Sequence, residues 1–276
     1  MAKVLVLGAG VSGHTAAPYL RKGLGKEHEV IVVAPNQDYN YIPSNIWVGT
    51  GRMKHERVHF PLAPIYKKAG IEFKQSKAIS FHPEGDSELA SAYVLVEYTS
   101  ANKAGTTEKV AYDYLINATG PKLNFGGTEG LLPGTNKVVS VCSWSHAAHA
   151  WKELEKIINR LKQGEKLKLL IGTGHPMATC QGAAFEYILN VESELVRHKV
   201  RQNAEVYFIT NESEAGEFGM GGMKFKVPMK GVMTGETLAD MLFEDRGIIQ
   251  IPQAGVYKVE DGKVLYENLK GEKLSQ

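Results

Sequence analysis

The chain has 276 residues, of which 43% are hydrophobic and 22% charged, with a formal net charge of +2. This length suits one large or two modest globular domains, and the dispersed lysines and arginines argue against nucleic acid as a partner. No apolar run is long enough to span a membrane as a helix, and the N-terminus lacks a signal-peptide core, so we expect a soluble chain. Two cysteines, Cys142 and Cys180, are too few for a disulfide scaffold.

The first elements follow a β-α-β order. Val4–Leu7 predicts a strand, Ser12–Gly23 an amphipathic helix and Glu29–Ala34 a second buried strand. This alternation is typical of a parallel sheet with a right-handed crossover. Four short strands follow, which we interpret as an antiparallel insertion: Ile71–Gln75, Lys77–Phe81, Ala92–Tyr98 and Thr107–Ala111.

A second α/β pattern begins after an apolar strand at Tyr114–Ala118 and a glycine-rich linker at Asn124–Gly134. It consists of two helices and two strands in alternation: Ser145–Lys162, Leu167–Ile171, Cys180–Arg197 and Val206–Thr210. On the first of these helices an apolar face is predicted: Ala148, Trp151, Leu154, Ile157, Ile158 and Leu161. Further strands are predicted at Gly255–Leu265, around a turn that contains Asp261.

The fold class predicted from this order is α/β, with two Rossmann-like dinucleotide-binding domains. The first domain spans 1–122 and contains the antiparallel insertion. The second spans 123–276, is of the NAD-binding type and carries Cys180.

The first turn fits G-x-G-x-x-G, with Gly8, Gly10 and Gly13 placed between a strand and a helix. In this motif the first glycine allows the tight turn, the second lets backbone approach a pyrophosphate, and the third permits close helix packing. The alternative is a glycine-rich turn without a ligand. The acidic residue that binds the ribose of NAD is missing where the second strand ends at Ala34, which lowers the case for NAD.

A second motif favours FAD. Tyr112–Gly120 is an apolar strand ending in Ala-Thr-Gly, an arrangement similar to the second flavin-binding motif of flavoproteins with two dinucleotide-binding domains. Alone it could be a buried strand followed by a turn. Paired with the glycine turn in the right order, it indicates FAD as the cofactor, with Thr119 and Gly120 as candidate contacts.

The second α/β unit has a degenerate glycine turn, Gly172-Thr173-Gly174-His175-Pro176-Met177, in which the third glycine is missing. A pyrophosphate would fit it badly, since Pro176 stiffens the loop. Cys180 lies at the start of the following helix, where the helix N-terminus stabilises a thiolate. Such a thiolate beside a flavin can attack sulfur; the alternative is a small core residue.

Taken together, these motifs resemble the sulfide:quinone oxidoreductase family of disulfide-reductase-like flavoproteins. Segments along the whole chain carry the resemblance: Gly8–Gly13, Tyr41–Val48, Ala118–Gly120, Ser140–Ala147, Thr179–Glu186, Phe218–Gly222 (with Met220) and Val264–Gly271. The resemblance implies FAD as cofactor, sulfide and quinone as substrates, and further FAD contacts at Pro43, Asn45 and Ala78.

The resemblance also implies roles for four side chains. Cys180 matches one of two thiols that perform the sulfur chemistry, and Cys142 matches a more accessory thiol. Glu186 and His146 match positions for proton transfer, although each could equally be an ordinary helix residue. A metal site is not expected, because no C-x-x-C spacing exists and a closed zinc site needs four ligands.

The family is longer than this chain, so we expect the fold to be incomplete at the C-terminus, without the family's third cysteine and C-terminal amphipathic helices. The intact protein would then be peripheral to a membrane and could be a homo-oligomer. Three alternatives stay open: a flavocytochrome c-type sulfide dehydrogenase subunit, a non-catalytic flavin- or nucleotide-binding module, and, more weakly, a type II NADH dehydrogenase.

Overall fold

The structure is a computed structural model. The chain divides into two compact units. The first comprises Met1–Ile42 and Glu56–Lys122, and the second comprises Pro43–His55 and Leu123–Gln276. The structure describes four stretches of the chain: residues 1–219, 221–227, 231–260 and 262–276. Met220 of the Phe218–Gly222 motif and Asp261 of the predicted C-terminal turn lie outside these residues.

Residues up to Lys122 form eight strands and three helices. In chain order they are β1 (Lys3–Leu7), α1 (Val11–Gly23), β2 (Glu29–Ala34), β3 (Asp38–Asn40), α2 (Asn45–Gly49), β4 (His59–Pro61), α3 (Leu62–Ala69), β5 (Glu72–His82), β6 (Tyr93–Tyr98), β7 (Thr107–Ala111) and β8 (Tyr114–Asn117).

The first unit is built on a six-stranded sheet in the order β7-β6-β5-β2-β1-β8. Strands β5, β2, β1 and β8 run parallel, whereas β6 and β7 pair antiparallel beyond β5. The prediction of two separate strands over 71–81 is wrong, because β5 is continuous. Its register shifts between Ala78 and Ser80, and such a bulge bends a strand without ending it.

Alternating side chains of β1 and β2 bury both faces of this sheet. One face packs Val6 and Val32 against Ala17 of α1 and Tyr66 of α3. The other face buries residues of the parallel strands together with residues of the antiparallel strands: Leu5, Leu7, Ile31, Val33, Val94, Val96 and Val110. Because both faces are covered, β1 and β2 are nearly continuous apolar runs.

The described residues beyond Lys122 form eight further strands and three α-helices. In chain order they are α4 (Trp144–Lys162), β9 (Leu167–Gly172), α5 (Gln181–Arg197), β10 (Ala204–Ile209), β11 (Lys224–Val227), β12 (Gly231–Thr234), α6 (Gly235–Arg246), β13 (Ile248–Ile251), β14 (Gly255–Glu260), β15 (Lys263–Glu267) and β16 (Lys273–Ser275).

The second unit contains a parallel sheet in the order β13-β10-β9, with α4, α5 and α6 contributing to its core. Phe208 of β10 and Phe243 of α6 are fully buried there. On α4 the buried stripe differs from the predicted one at its start, since Ala147 and Ala150 are buried rather than Ala148. Among the described residues no helix is long and apolar enough to cross a membrane.

The predicted boundary of the first domain differs from the division in the structure. Pro43–His55 belongs to the second unit, because α2 packs on α4 and α5. Gly51 lies so close to the Trp151 ring of α4 that an added Cβ would approach a ring carbon to 2.4 Å. This packing joins the segment to helices that come about a hundred residues later in the chain.

Candidate functional site

The turn between β1 and α1 places its three glycines in different environments. Gly8 has a φ of +96°, and a Cβ there would lie 2.1 Å from the carbonyl oxygen of Ala118. A Cβ at Gly13 would lie 1.9 Å from the carbonyl oxygen of Gly8. A Cβ at Gly10 would meet nothing within 4 Å. Packing therefore requires the first and third glycines, while the second faces open space.

Gly10 is exposed and precedes α1 without any side-chain cap. Uncapped backbone N–H groups at a helix N-terminus form a binding site for anions. The open space at Gly10 therefore fits a pyrophosphate, which needs close approach to backbone. At the end of β2, Ala34 is buried, and Asp38 faces His59 with 3.8 Å between Oδ2 and Nδ1.

The Ala-Thr-Gly motif follows β8, which lies next to β1 in the sheet. Thr119 Oγ1 donates to Asn117 Oδ1 at 2.9 Å, and Gly120 is exposed with a φ of +68°. In the first unit the carboxyl ends of β1 and β8 thus both end in glycine-containing turns. Ala78, by contrast, lies on β5 and packs against the core cluster of Leu5.

Pro43 and Asn45 lie in the segment that packs on α4 and α5. Pro43 is exposed, whereas Asn45 begins α2 and is buried. The segment is anchored by Arg52, whose Nε lies 2.6 Å from the carboxylate of Glu194, a fully buried residue of α5. The Tyr187 hydroxyl of α5 also donates to the carbonyl of Gly49.

The second glycine turn, between β9 and α5, is covered by other residues of the chain. A Cβ at Gly172 would lie 1.7 Å from the carbonyl of Ile209, which repeats the close strand contact of Gly8. A Cβ at Gly174 would lie 2.8 Å from Leu131, so this glycine is covered where Gly10 is open. Helix α5 begins only at Gln181, so eight residues separate the end of β9 from the helix N-terminus.

Cys180 is the N-cap residue of α5 and has left-handed backbone angles, with φ 69° and ψ 41°. Its side chain is exposed and makes no capping hydrogen bond. A non-glycine residue in this conformation costs on the order of 1–3 kcal/mol, and such strain is concentrated at functional sites. The thiol is thus presented to solvent at the start of the helix.

Cys142 is the second exposed cysteine, and its N–H donates to Ser140 Oγ. The residues just before Cys142 form no helix or strand, and Asn136 and Lys137 take positive φ values in a turn. Ser143 caps α4 by accepting from the N–H of His146 at 3.2 Å. Cys142 therefore lies just before a helix N-terminus, as Cys180 does.

His146 packs edge-on against Phe125, with ring centroids 5.6 Å apart. Burial lowers the pKa of His146, and the neighbouring His149 lowers it further. Its Nδ1 is buried and has no hydrogen-bond partner within the described part of the chain. A neutral imidazole with an unpartnered nitrogen can accept a proton. Glu186, on α5, has an exposed side chain.

Sequence reasoning missed Asn211. This residue lies two positions after the end of β10, and its carboxamide bonds to the loop that precedes Cys180. The available signal was its position, because the residue after the second strand of a Rossmann unit is the one that usually contacts a ribose. Of the described residues, no three among His, Cys, Asp and Glu are grouped so that they could hold a metal ion.

Comparison with known proteins gives the site its context. The chain is 31% identical to the sulfide-quinone reductase of Aquifex aeolicus over 272 residues, covering 98% of this chain and 55% of that protein. It is 25% identical to the mitochondrial sulfide:quinone oxidoreductase of Mus musculus over 211 residues, covering 75% and 42% respectively. The chain thus spans about half the length of the curated relatives it matches.

The solved structure of the Aquifex aeolicus sulfide:quinone oxidoreductase superimposes with a TM-score of 0.82 at 29% identity, over 100% of this chain and 56% of that one. These matches confirm the predicted resemblance and the α/β flavoprotein fold. The family and these relatives are FAD-binding flavoproteins, which confirms the cofactor. The family model for pyridine nucleotide-disulphide oxidoreductases matches residues 2–175, and the chain belongs to that family.

Proposed function

We propose that this chain supplies the FAD-binding turn and the sulfur-handling thiols of a sulfide:quinone oxidoreductase. The observation that carries the proposal is the exposed Cys180 at the start of α5, beside a second turn that is closed to a dinucleotide. Met1–Ile42 and Glu56–Lys122 would form the FAD-binding domain. Residues 123–276 would form the domain that carries both thiols.

The glycine turn between β1 and α1 has the features needed to bind the pyrophosphate of FAD. Its open position at Gly10 admits a pyrophosphate, and the uncapped N-terminus of α1 supplies N–H donors to the phosphates. The absence of a carboxylate at the end of β2 is compatible with FAD. Bound FAD supplies a two-electron acceptor that a thiol-bound sulfur can reduce.

The proposed reaction removes two electrons and two protons from H₂S and delivers both to a quinone, which leaves sulfur in the zero-valent state. Cys180 would hold the captured sulfur as a persulfide. Forming that S–S bond from a thiol and H₂S releases two protons and two electrons, and the electrons would go to the bound two-electron acceptor and then to the quinone. Cys142 would have an accessory role. His146, with its unpartnered Nδ1, and the exposed Glu186 would hold or pass protons.

The proposal also assigns a peripheral membrane position to the whole protein, since a quinone is dissolved in the bilayer. The relatives contain about as much sequence again as the part that matches this chain. We place the quinone and membrane contacts there.

The decisive experiment measures sulfide-dependent quinone reduction by the FAD-loaded whole protein, including the part in which we place the quinone contacts, and by its Cys180→Ser variant. Loss of the capturing nucleophile should lower turnover by a factor of about 100 or more. Cys142→Ser, which alters the other exposed thiol, should lower turnover by less than about tenfold if its role is accessory.

Wild-type turnover in Cys180→Ser would contradict the role of that thiol. A protein that retains flavin absorbance but never reduces quinone with sulfide would favour the alternative of a non-catalytic flavin-binding module.

A further inference from the structure

The Asn211 carboxamide makes four hydrogen bonds to the loop between β9 and α5. Its Nδ2 donates to the carbonyls of Pro176 at 2.8 Å and Ala178 at 3.0 Å. Its Oδ1 accepts from Thr173 Oγ1 at 3.2 Å and from Gln181 Nε2 at 3.3 Å. A carboxamide has two N–H donors and two acceptor lone pairs, so all of its hydrogen-bonding capacity is used on this one loop.

The four contacts are spread along the loop. Thr173 begins it, Pro176 and Ala178 lie in its middle, and Gln181 is the first residue of α5. Gln181 Nε2 also donates to the Ala178 carbonyl at 3.1 Å, which closes a small network around the last turn of the loop. The loop contains no helix or strand of its own. Backbone bonds such as those from the N–H of Ala178 to His175 and from the N–H of Val256 to Gly174 also hold it, and the Asn211 bonds add contacts on both sides of Cys180.

Cys180 lies inside this network, between Ala178 and Gln181, which are both bound to Asn211. Its left-handed backbone is a conformation that a residue with a Cβ avoids unless neighbouring contacts hold it. The Cys180 side chain makes no capping hydrogen bond that could do so. The contacts on either side come from Asn211 and Gln181.

We propose that Asn211 is a positioning residue for Cys180: its carboxamide holds the loop Thr173–Gln181 so that the thiol stays presented at the start of α5. The catalytic meaning of this role rests on the proposed function of Cys180. Asn211 lies two residues after β10, close to where a nicotinamide-binding Rossmann unit places its ribose ligand. In this protein the side chain at that position binds the loop between β9 and α5 instead.

Two variants of Asn211 separate hydrogen bonding from space filling. Asn211→Ala removes all four bonds. Asn211→Asp keeps the size of the side chain but places carboxylate oxygens against the Pro176 and Ala178 carbonyls. The matched control is Asn203→Ala, because Asn203 Nδ2 likewise donates to a backbone carbonyl, that of Leu161, but at the opposite end of β10.

The first measurement is amide hydrogen exchange on the FAD-loaded protein. In both Asn211 variants, exchange over 173–181 should accelerate by about tenfold or more, while exchange in α4 and β10 stays at wild-type rates. Asn203→Ala should leave the loop at wild-type rates. Unchanged loop exchange in Asn211→Ala, or wild-type protection in Asn211→Asp, would overturn the proposal.

The second measurement is sulfide-dependent quinone reduction by the same proteins. Displacement of the thiol should lower kcat by about 10- to 100-fold, while KM for the quinone stays constant. A loosened loop with wild-type kcat would overturn the positioning role. Full activity of Cys180→Ser would instead overturn the proposed function of that thiol, and the exchange result would still report whether Asn211 holds the loop.

Discussion

The two strand–turn–helix units of this protein share the same order of elements but differ in whether the turn is open. In the first, α1 begins at Val11, soon after β1 ends, and Gly10 faces open space. In the second, α5 is delayed until Gln181, and Gly174 is covered by Leu131. A shared supersecondary unit is therefore not a shared binding site: one turn is left open to an anionic group, and the other is filled by the chain and presents a thiol.

The strand ends differ in the same way. After β2 the chain continues from the buried Ala34 to an exposed Asn36, and Asp38 faces His59. After β10, Asn211 turns back onto its own loop, and the buried carboxylate of Glu212 accepts from the backbone N–H of Phe218 at 2.6 Å. Polar groups after β10 thus bind backbone groups of the second unit itself, so they are not free to bind a ribose.

Of the substitutions in the open turn, Gly13→Ala is expected to have the largest effect on stability. The new Cβ would overlap the Gly8 carbonyl, which belongs to backbone and cannot rotate away, so we expect a loss of about 3 kcal/mol in the free energy of unfolding. Chemical denaturation of the variant and wild type measures this difference. Stability within about 0.5 kcal/mol of wild type would contradict the packing role of this glycine.

A smaller effect, confined to binding, is expected for Gly10→Ala. Its φ of −74° suits alanine and its Cβ meets no protein atom, so stability should be preserved. The Cβ would nevertheless stand between backbone and pyrophosphate, and FAD affinity should fall by about tenfold, or 1.4 kcal/mol. Titration of the apoprotein with FAD, followed by flavin fluorescence, measures the affinity.

The matched control for this prediction is Gly174→Ala in the closed turn. Its Cβ would meet only the flexible end of Leu131, so we expect a stability loss of about 1 kcal/mol and wild-type FAD affinity. Equal losses of FAD affinity in both variants would remove the distinction between the two turns.

The smallest effect concerns pH and His14, the residue that follows Gly13. His14 lies in an aromatic cluster with Tyr39 and Tyr66, and burial lowers its pKa below the ordinary value of 6.5. Between the lowered pKa and 6.5 the unfolded chain binds more protons than the folded one. Its contribution to stability is therefore complete above pH 6.5 and is lost as pH falls through the folded-state value.

Replacing this side chain tests the assignment. His14→Gln should flatten the fall of unfolding free energy on acidification, as measured by denaturation at a series of pH values. An unchanged slope in His14→Gln would show that other groups govern the acid response.

Local sequence was sufficient for the elements whose signal is periodic and continuous. The strands β1, β2, β9 and β10 and the helices α1, α4 and α5 follow the predicted order, with ends that move by one or two residues. Local sequence was insufficient to predict a strand whose regular alternation is interrupted. The bulge in β5 breaks the alternation of apolar residues, so one strand reads as two. Helix α6 was also missed: two of its three buried positions, Gly235 and Ala239, are small residues, so no stripe of large apolar residues marks its packed face.

The sequence by itself determined that two strand–turn–helix units exist, that the first carries a G-x-G-x-x-G turn and that Cys180 stands at the start of a helix, because glycine spacing and hydrophobic periodicity are local properties. Only the tertiary structure decided which glycine is free of packing, that Pro43–His55 joins the second unit, and that Asn211 holds the loop before Cys180. Each of these depends on atoms brought together from distant parts of the chain, and no local pattern records such contacts.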